Sequence, residues 1–298
     1  MTRQALPFLP EFEVDTDALD MADDEAPFMH ATFELLKEVS ASLVLATGLR
    51  TSDTVQGFER NQAIVVGHMV FVVKLANSLL KQVVDGHGGD LQLPIFRQAL
   101  EAIATTRYLL DDTDGSRFDS YVWDSLVAEK ELSALIAAKV GERSAELPIE
   151  TRMRSSIEDT LEAASTTLAE VPGRRRNNWP TAKERIDLLG DGVYVAYRTS
   201  SSAVHGQFTD LEKRHLKYVG SERYLVNFEP QEFRPQPLIA LETLMLDLVP
   251  QYVRRYAPEE AWEAFRPHLQ SQKLRVQLVD RLHEEFLTRM RDAEIRED

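Results

Sequence analysis

Apolar residues recur at intervals of three and four along most of the chain, which is the period of an amphipathic α-helix. Proline at helix starts and glycine or Asx-rich breaks separate the periodic stretches. The pattern predicts helices at 27–48, 54–84, 94–112, 116–143, 148–171, 181–189 and 193–205, then at 237–256 and from 258 to near the end, where Pro267 interrupts the last one. We therefore predict an all-α bundle of roughly eight to ten helices.

Two stretches depart from this helical pattern. Residues 1–26 are rich in Asp and Glu with a few large apolar side chains, which favours a flexible acidic arm or a segment that docks on a surface. The sequence pattern at residues 218–230 predicts a small hairpin or an extended loop. The predicted organisation is an arm at 1–26, a helical core at 27–216 and a helical extension packed on that core at 217–298.

Composition narrows the classes of function. A net charge of −15 repels nucleic acid at long range, but it leaves room for a local basic pocket because salt screens surface fields within about 8–10 Å. The absence of cysteine excludes disulfides, thiolate catalysis and thiolate-bound zinc. The sequence carries no secretory signal pattern and no apolar run that approaches a membrane span, so we expect a cytoplasmic protein without membrane partners.

One predicted helix carries polar and ionisable side chains where an apolar stripe would be ordinary. Arg198 and His205 are seven residues apart, close to two helical turns, so their side chains project from one face. Tyr194 and Ser202 (or Ser201) lie on the same stripe. We take Tyr194, Arg198, Ser202 and His205 as the candidate catalytic residues.

Such a stripe suits cleavage of phosphodiesters without a metal. Histidine transfers protons near neutral pH, arginine holds a phosphate through two parallel hydrogen bonds, and the RNA 2′-hydroxyl supplies the nucleophile. A structural role is the alternative. His205 precedes Gly206 and could bind the last carbonyls of its helix, while Arg198 could pair with a carboxylate such as Glu101.

The spacing Arg198-x6-His205 resembles the Arg-x(4–6)-His signature of the HEPN superfamily (higher eukaryote and prokaryote nucleotide-binding domains). That resemblance implies a helical core and a metal-independent ribonuclease that acts as a toxin or in antiviral defence. It also implies a homodimer and an antitoxin-like protein partner. Many of these nucleases have Asn directly after the arginine, where this chain has Thr199.

A broader resemblance covers about residues 55–210. The order of Arg97-x3-Glu101, Trp179 and Tyr197 through His205 is similar to an uncharacterised bacterial family of helical proteins, a domain of unknown function. Arg97, Glu101 and Tyr197 are therefore expected to support the stripe, since residues four apart can pair on one helix face. An ordinary helix pair is the alternative.

A basic loop precedes the stripe. It comprises Arg174, Arg175 and Arg176, with Trp179 and Lys183 following. These side chains could hold phosphates and stack on a base, or the loop could be solvated while its tryptophan packs in the core. We expect RNA or a nucleotide as ligand, and neither a metal site nor a cofactor. A non-catalytic module that binds a nucleotide, an RNA end or a protein partner is the alternative function.

Overall fold

The computed structural model describes residues 11–49, 57–86, 89–173 and 178–297, and nearly all regular structure there is helical. The helices are α1 (Thr16–Asp20), α2 (Ala26–Thr47), α3 (Arg60–Asp85), α4 (Gly89–Leu110), α5 (Ser116–Arg143), α6 (Pro148–Ala163), α7 (Ala182–Ile186), α8 (Val193–His205), α9 (Phe208–Arg214), α10 (Pro235–Tyr256) and α11 (Glu259–Glu297). A single 3-10 turn (Asp187–Leu189) follows α7, and strands β1 (Leu216–Tyr218) and β2 (Tyr224–Val226) pair in antiparallel fashion. The predicted all-α multi-helix fold is confirmed.

Two prolines lie inside helices, although the sequence pattern predicts that a helix starts at Pro94 and that another is interrupted at Pro267. Helix α4 begins at Gly89, so Pro94 falls in its second turn. Helix α11 runs through Pro267 without a break. Each proline removes one backbone hydrogen bond. Around Pro267 the loss is offset because Phe265 and Leu269 are both buried on the same side of the helix.

The described chain divides into two compact units. The first unit comprises Met1–Leu110 together with Ala182–Asp298, and the second comprises Asp111–Thr181. The predicted organisation placed 27–216 in one core and 217–298 in an extension. Helices α10 and α11 lie in the same compact unit as α2, α3 and α4, and the predicted boundaries stay a prediction.

The first unit is built around four helices that contact one another in a ring. Helix α2 packs on α3, α3 on α4, α4 on α10, and α10 on α2, while α11 covers α2 and α10 and α8 lies on α4. The apolar positions that recur every three or four residues meet inside this ring. Fully buried examples are Leu35, Leu36, Val39 and Leu43 on α2, Met69, Val72 and Leu79 on α3, Leu100 on α4, and Leu241, Met245 and Val249 on α10.

The described part of the acidic N-terminal segment is docked on the first unit. Leu19 of α1 is buried, and the ring of Phe12 meets His30 edge-on at 5.8 Å. The Phe12 backbone N–H donates to Glu38 of α2, and its carbonyl accepts from Arg275 of α11. Of the predicted arm, residues 11–26 therefore have defined contacts, and residues 1–10 lie outside the described residues.

The second unit contains α5 and α6. Its apolar core combines Leu126, Val127 and Ile136 of α5 with Ile157 and Leu161 of α6. Asp112, a buried residue that precedes α5, caps the N-terminal end of this helix. One carboxylate oxygen accepts from the backbone N–H groups of residues 114 and 115, and the other accepts from those of residues 117 and 118. A single side chain thus satisfies donors that the first helical turn leaves unpaired.

Asp112→Ala is expected to destabilise the second unit by about 1–2 kcal/mol, because it removes the acceptor for these backbone donors. Urea unfolding followed by circular dichroism, with hydrogen exchange of the α5 amides, measures the loss. Asp159→Ala is the matched control, since Asp159 is an exposed aspartate of α6. Equal stability of the two variants would contradict the capping role of Asp112.

Among the described helices, α3 is the one that is long and apolar enough to cross a membrane by length and composition. Of its most apolar 18-residue window, 44% is buried inside the structure. A core helix of a soluble protein meets the same criteria.

Candidate functional site

The polar stripe lies on α8, whose two ends are set by glycines in the left-handed conformation. Gly192 has φ of 87° before the first residue, and Gly206 has φ of 57° after the last. Left-handed backbone is open to glycine at little cost, so the two glycines fix where this helix starts and stops. The predicted helix is confirmed at 193–205, and Gly206 closes it by donating its N–H to the Ser202 carbonyl.

Helix α8 packs on α4, and four polar side chains meet where they touch. We call Arg97, Glu101, Tyr197 and His205 the α4–α8 cluster. The Tyr197 hydroxyl donates to Glu101 Oε1 at 2.9 Å, and Arg97 Nη2 lies 3.2 Å from both that oxygen and the Tyr197 hydroxyl. Arg97 Nη1 lies 3.4 Å from His205 Nε2. Of the residues predicted to support the stripe, Arg97 contacts its histidine, and Glu101 and Tyr197 contact Arg97.

Arg97 is held in this cluster more firmly than an ordinary surface arginine. Its side chain is 17% exposed, and its guanidinium carbon lies 5.2 Å from the centre of the Tyr197 ring. A carboxylate, a hydroxyl and an aromatic face therefore fix its position. Its Nε is buried and has no hydrogen-bond acceptor within the described residues.

The contact between Arg97 and His205 joins a donor group to a ring nitrogen. A guanidinium has donors only, so in a hydrogen bond between the two groups His205 Nε2 is the acceptor. His205 itself is exposed at the end of α8. The cluster therefore presents an imidazole beside a guanidinium at a surface that solvent reaches.

Arg198 stands apart from the cluster. It is exposed, and within the described ranges it makes no hydrogen bond or ion pair. The alternative in which Arg198 pairs with Glu101 is not what the structure shows, because Arg97 occupies that carboxylate. The Arg198 guanidinium is consequently free to bind an anion from solution.

The remaining candidates of the stripe have local partners. The Ser202 hydroxyl donates to the Thr199 carbonyl at 2.7 Å, so it satisfies its own helix. The Tyr194 ring stacks on Tyr197 at 6.2 Å, and Lys183 Nζ lies 4.9 Å above the Tyr194 ring. Lys183 also pairs with Asp187 at 2.6 Å. This ion pair raises the pKa of Lys183, so the side chain is a fixed cation beside the stripe.

The basic loop is described only in part. Arg174, Arg175 and Arg176 lie outside the described residues. Trp179 belongs to the second unit, where its half-buried ring meets Tyr121 at 5.3 Å. Lys183 belongs to the first unit. That these five residues form one phosphate-binding patch stays a prediction.

Other ionisable groups lie outside this cluster. Burial lowers the pKa of His68 on α3 to about 4, with a further contribution from Arg185. Within the described residues, no group of three or more His, Asp and Glu side chains is placed to hold a metal ion. Sequence reasoning missed Glu242 of α10, which is completely buried. Its position on the apolar stripe, between Leu238 and Met245, could have revealed it.

A sequence profile gives the family of the chain. The profile of DUF5677, a family of unknown function, matches residues 62–222, which is more than half of the 298 residues. The chain belongs to DUF5677. No curated protein and no solved structure matches it. The predicted resemblance to a family of unknown function is confirmed.

The DUF5677 match encloses the whole candidate site. It begins in α3 and ends in the turn between β1 and β2, so it includes both α4 and α8. Helices α10 and α11 lie beyond it, although both pack in the first unit. The region matched to DUF5677 therefore contains the α4–α8 cluster and leaves out α10 and α11.

Proposed function

We propose that this DUF5677 protein is a HEPN-like, metal-independent ribonuclease that cuts RNA phosphodiesters at the exposed face of α8. One observation carries the proposal: an exposed arginine without a partner in the described residues and an exposed histidine lie seven residues apart on one helix. Arg198 would bind the scissile phosphate, and His205 would transfer protons. By the same resemblance, the cellular role would be that of a toxin or an antiviral-defence protein.

The proposed reaction needs only groups that the chain and the RNA supply. His205 Nε2 accepts the proton of the 2′-hydroxyl, whose oxygen attacks the adjacent phosphorus. The bond from phosphorus to the 5′-oxygen breaks, and that oxygen takes a proton from solvent or from the imidazolium. The products are a 2′,3′-cyclic phosphate and a 5′-hydroxyl. Arg198 offsets the charge that builds on the phosphate oxygens.

The α4–α8 cluster supports this assignment of roles. Arg97 lies 3.4 Å from His205 Nε2 and holds the imidazole at the end of α8, and bound RNA would displace this contact before Nε2 takes a proton. Tyr197 and Glu101 fix Arg97, so they position His205 without touching the substrate. Tyr194 and Lys183 flank the stripe with an aromatic face and a cation, which suits a base and a neighbouring phosphate.

The test is cleavage of single-stranded RNA by the purified full-length chain in a chelator, across pH 6–8. We expect cyclic-phosphate ends and a loss of rate of at least about 100-fold in His205→Ala. Arg198→Ala should lose rate by a similar factor, with an unchanged melting temperature, because both side chains are exposed. His268→Ala is the control, since it removes another exposed histidine, on α11.

Two outcomes would contradict the ribonuclease proposal. One is intact RNA at every pH tested, and the other is equal cleavage by wild type and His205→Ala. RNA that raises the melting temperature and is recovered uncut would instead support the non-catalytic binding module.

A further inference from the structure

The hairpin formed by β1 and β2 lies at the surface of the first unit. Its register pairs Leu216 with Val226, Lys217 with Leu225, and Tyr218 with Tyr224. The ring of Tyr224 contacts the rings of Tyr218 and Phe208. Both strands are nonetheless largely exposed. A hairpin of two strands is marginally stable alone in water, so pairing with a further strand would stabilise this one.

The backbone pattern shows which groups face the outer edge of β2. Hydrogen bonds join Asn227 to His215 and Val219 to Arg223. Bonded pairs alternate in an antiparallel ladder, so Leu225 is bonded to Lys217 between them. Tyr224 and Val226 therefore direct their N–H and C=O groups away from β1. Within the described residues these groups have no partner.

Large apolar side chains accompany this open edge. Leu225 is 58% exposed, Val226 is 65% exposed, and Phe228, just beyond the strand, is 91% exposed. An open strand edge with exposed apolar side chains is a template for another strand, and proteins normally block such edges with charges, proline or bulges. β2 contains no charged residue and no proline.

The two edges of the hairpin differ in whether each can pair with the same edge of a second copy of the chain. A two-fold axis through the centre of β1 would place Lys217 directly opposite Lys217 of the second copy, and like charges in that position repel. A two-fold axis through Leu225 of β2 would place leucine against leucine and Tyr224 against Val226. The flanking pairs would be Arg223 with Asn227, which do not repel.

The backbone geometry agrees with that two-fold axis. Tyr224 and Val226 face outward, so each would form a doubly hydrogen-bonded pair with the other residue of the second copy. Leu225 would then be the central pair without hydrogen bonds, where Cα atoms approach to about 4.5 Å and side chains touch most closely. The contact closes on itself, so it forms a dimer rather than a filament.

We propose that the outer edge of β2 is a self-association surface, and that two copies of this chain join their hairpins there into one antiparallel four-stranded sheet. Charge also favours a second copy at this place. The chain has a net charge of −15, which opposes self-association in general, while residues 204–228 carry four basic and three acidic side chains. The proposal does not depend on the ribonuclease assignment.

The test uses the central pair of the proposed dimer, in which Leu225 faces Leu225 of the second copy. Mass measured by light scattering after size exclusion, at micromolar concentrations, should be that of two wild-type chains. Leu225→Lys and Leu225→Glu should each shift the mass to one chain, because each places like charges opposite one another. Mixing the two variants should restore the mass of two chains, since lysine then faces glutamate.

A second pair of variants tests the backbone. Val226→Pro removes an outward N–H that the hairpin itself does not use, so it should abolish the dimer and leave helical content unchanged. Val226→Thr keeps the N–H and should keep the dimer. A monomeric wild type, or a Leu225→Lys variant that remains dimeric, would overturn the proposal, as would a mixture of lysine and glutamate variants that stays monomeric.

Discussion

Arg275→Met is expected to lower the free energy of unfolding of the first unit by about 3–5 kcal/mol, because it leaves a buried carboxylate without its counter-ion. Glu38 is 7% exposed, and its two oxygens accept from Arg275 at 2.6 and 2.7 Å. Gln272 also donates to Glu38 and exchanges hydrogen bonds with Ser42. The network joins α2, α11 and the docked N-terminal segment. Urea unfolding at neutral pH measures the loss.

The pH dependence of this loss follows from the pKa of Glu38. Burial raises that pKa, but hydrogen bonds from Arg275, from the Phe12 backbone and from Gln272 outweigh burial and bring it below the ordinary 4.5. A carboxyl whose folded pKa is lowered stabilises the fold above its unfolded pKa, and the contribution is lost as pH falls through the folded pKa. The difference between wild type and Arg275→Met should therefore be largest at neutral pH and shrink below about pH 4.5.

Two further variants separate the ion pair from the loss of a long side chain. Arg281→Met removes an arginine of α11 whose side chain is 65% exposed, and it should change stability by less than about 0.5 kcal/mol. The double variant Glu38→Met and Arg275→Met should recover most of the loss, because it removes both charges together. If Arg275→Met were as stable as Arg281→Met, the ion pair between Glu38 and Arg275 would contribute nothing to stability.

Helix positions could be predicted from the sequence because local periodicity determines them. Helix α5 has the predicted bounds, and α8 ends where Gly206 predicts. Helix α11 could not be predicted as continuous, since the local cost of Pro267 is visible in the sequence whereas the burial of Phe265 and Leu269 that offsets it is tertiary. The division at 111 and 181 is likewise set by contacts between distant segments.

The candidate site, too, could be predicted from the sequence only where local helical spacing determines it. Helical spacing placed Arg198 and His205 on one face of α8, and spacing also paired Arg97 with Glu101. Spacing on a single helix could not indicate that Arg97, from α4, would contact His205 and share Tyr197 with Glu101. The stripe is a local property of the sequence, whereas the cluster that supports it depends on how two helices pack.

Glu242→Met is expected to stabilise the first unit by roughly 1–4 kcal/mol at neutral pH. Glu242 lies in α10 with no exposed surface, and neither carboxylate oxygen has a hydrogen-bond partner in the described residues. Burial raises its pKa well above the ordinary 4.5, so the folded chain holds it as a neutral acid. Methionine has a similar length and flexibility without the unsatisfied oxygens, so it should fill the same space.

The sign of the pH dependence is opposite to that of Glu38. In the unfolded chain Glu242 ionises above its ordinary pKa, and in the folded chain it stays protonated, so wild-type stability falls as pH rises between these two values. The gain from Glu242→Met should accordingly grow as pH rises above the ordinary pKa of 4.5. Glu242→Gln mimics the neutral acid, so it should remove this pH-dependent part and keep the cost of unsatisfied polar atoms. A Glu242→Met variant that is less stable than wild type at pH 8 would contradict this prediction.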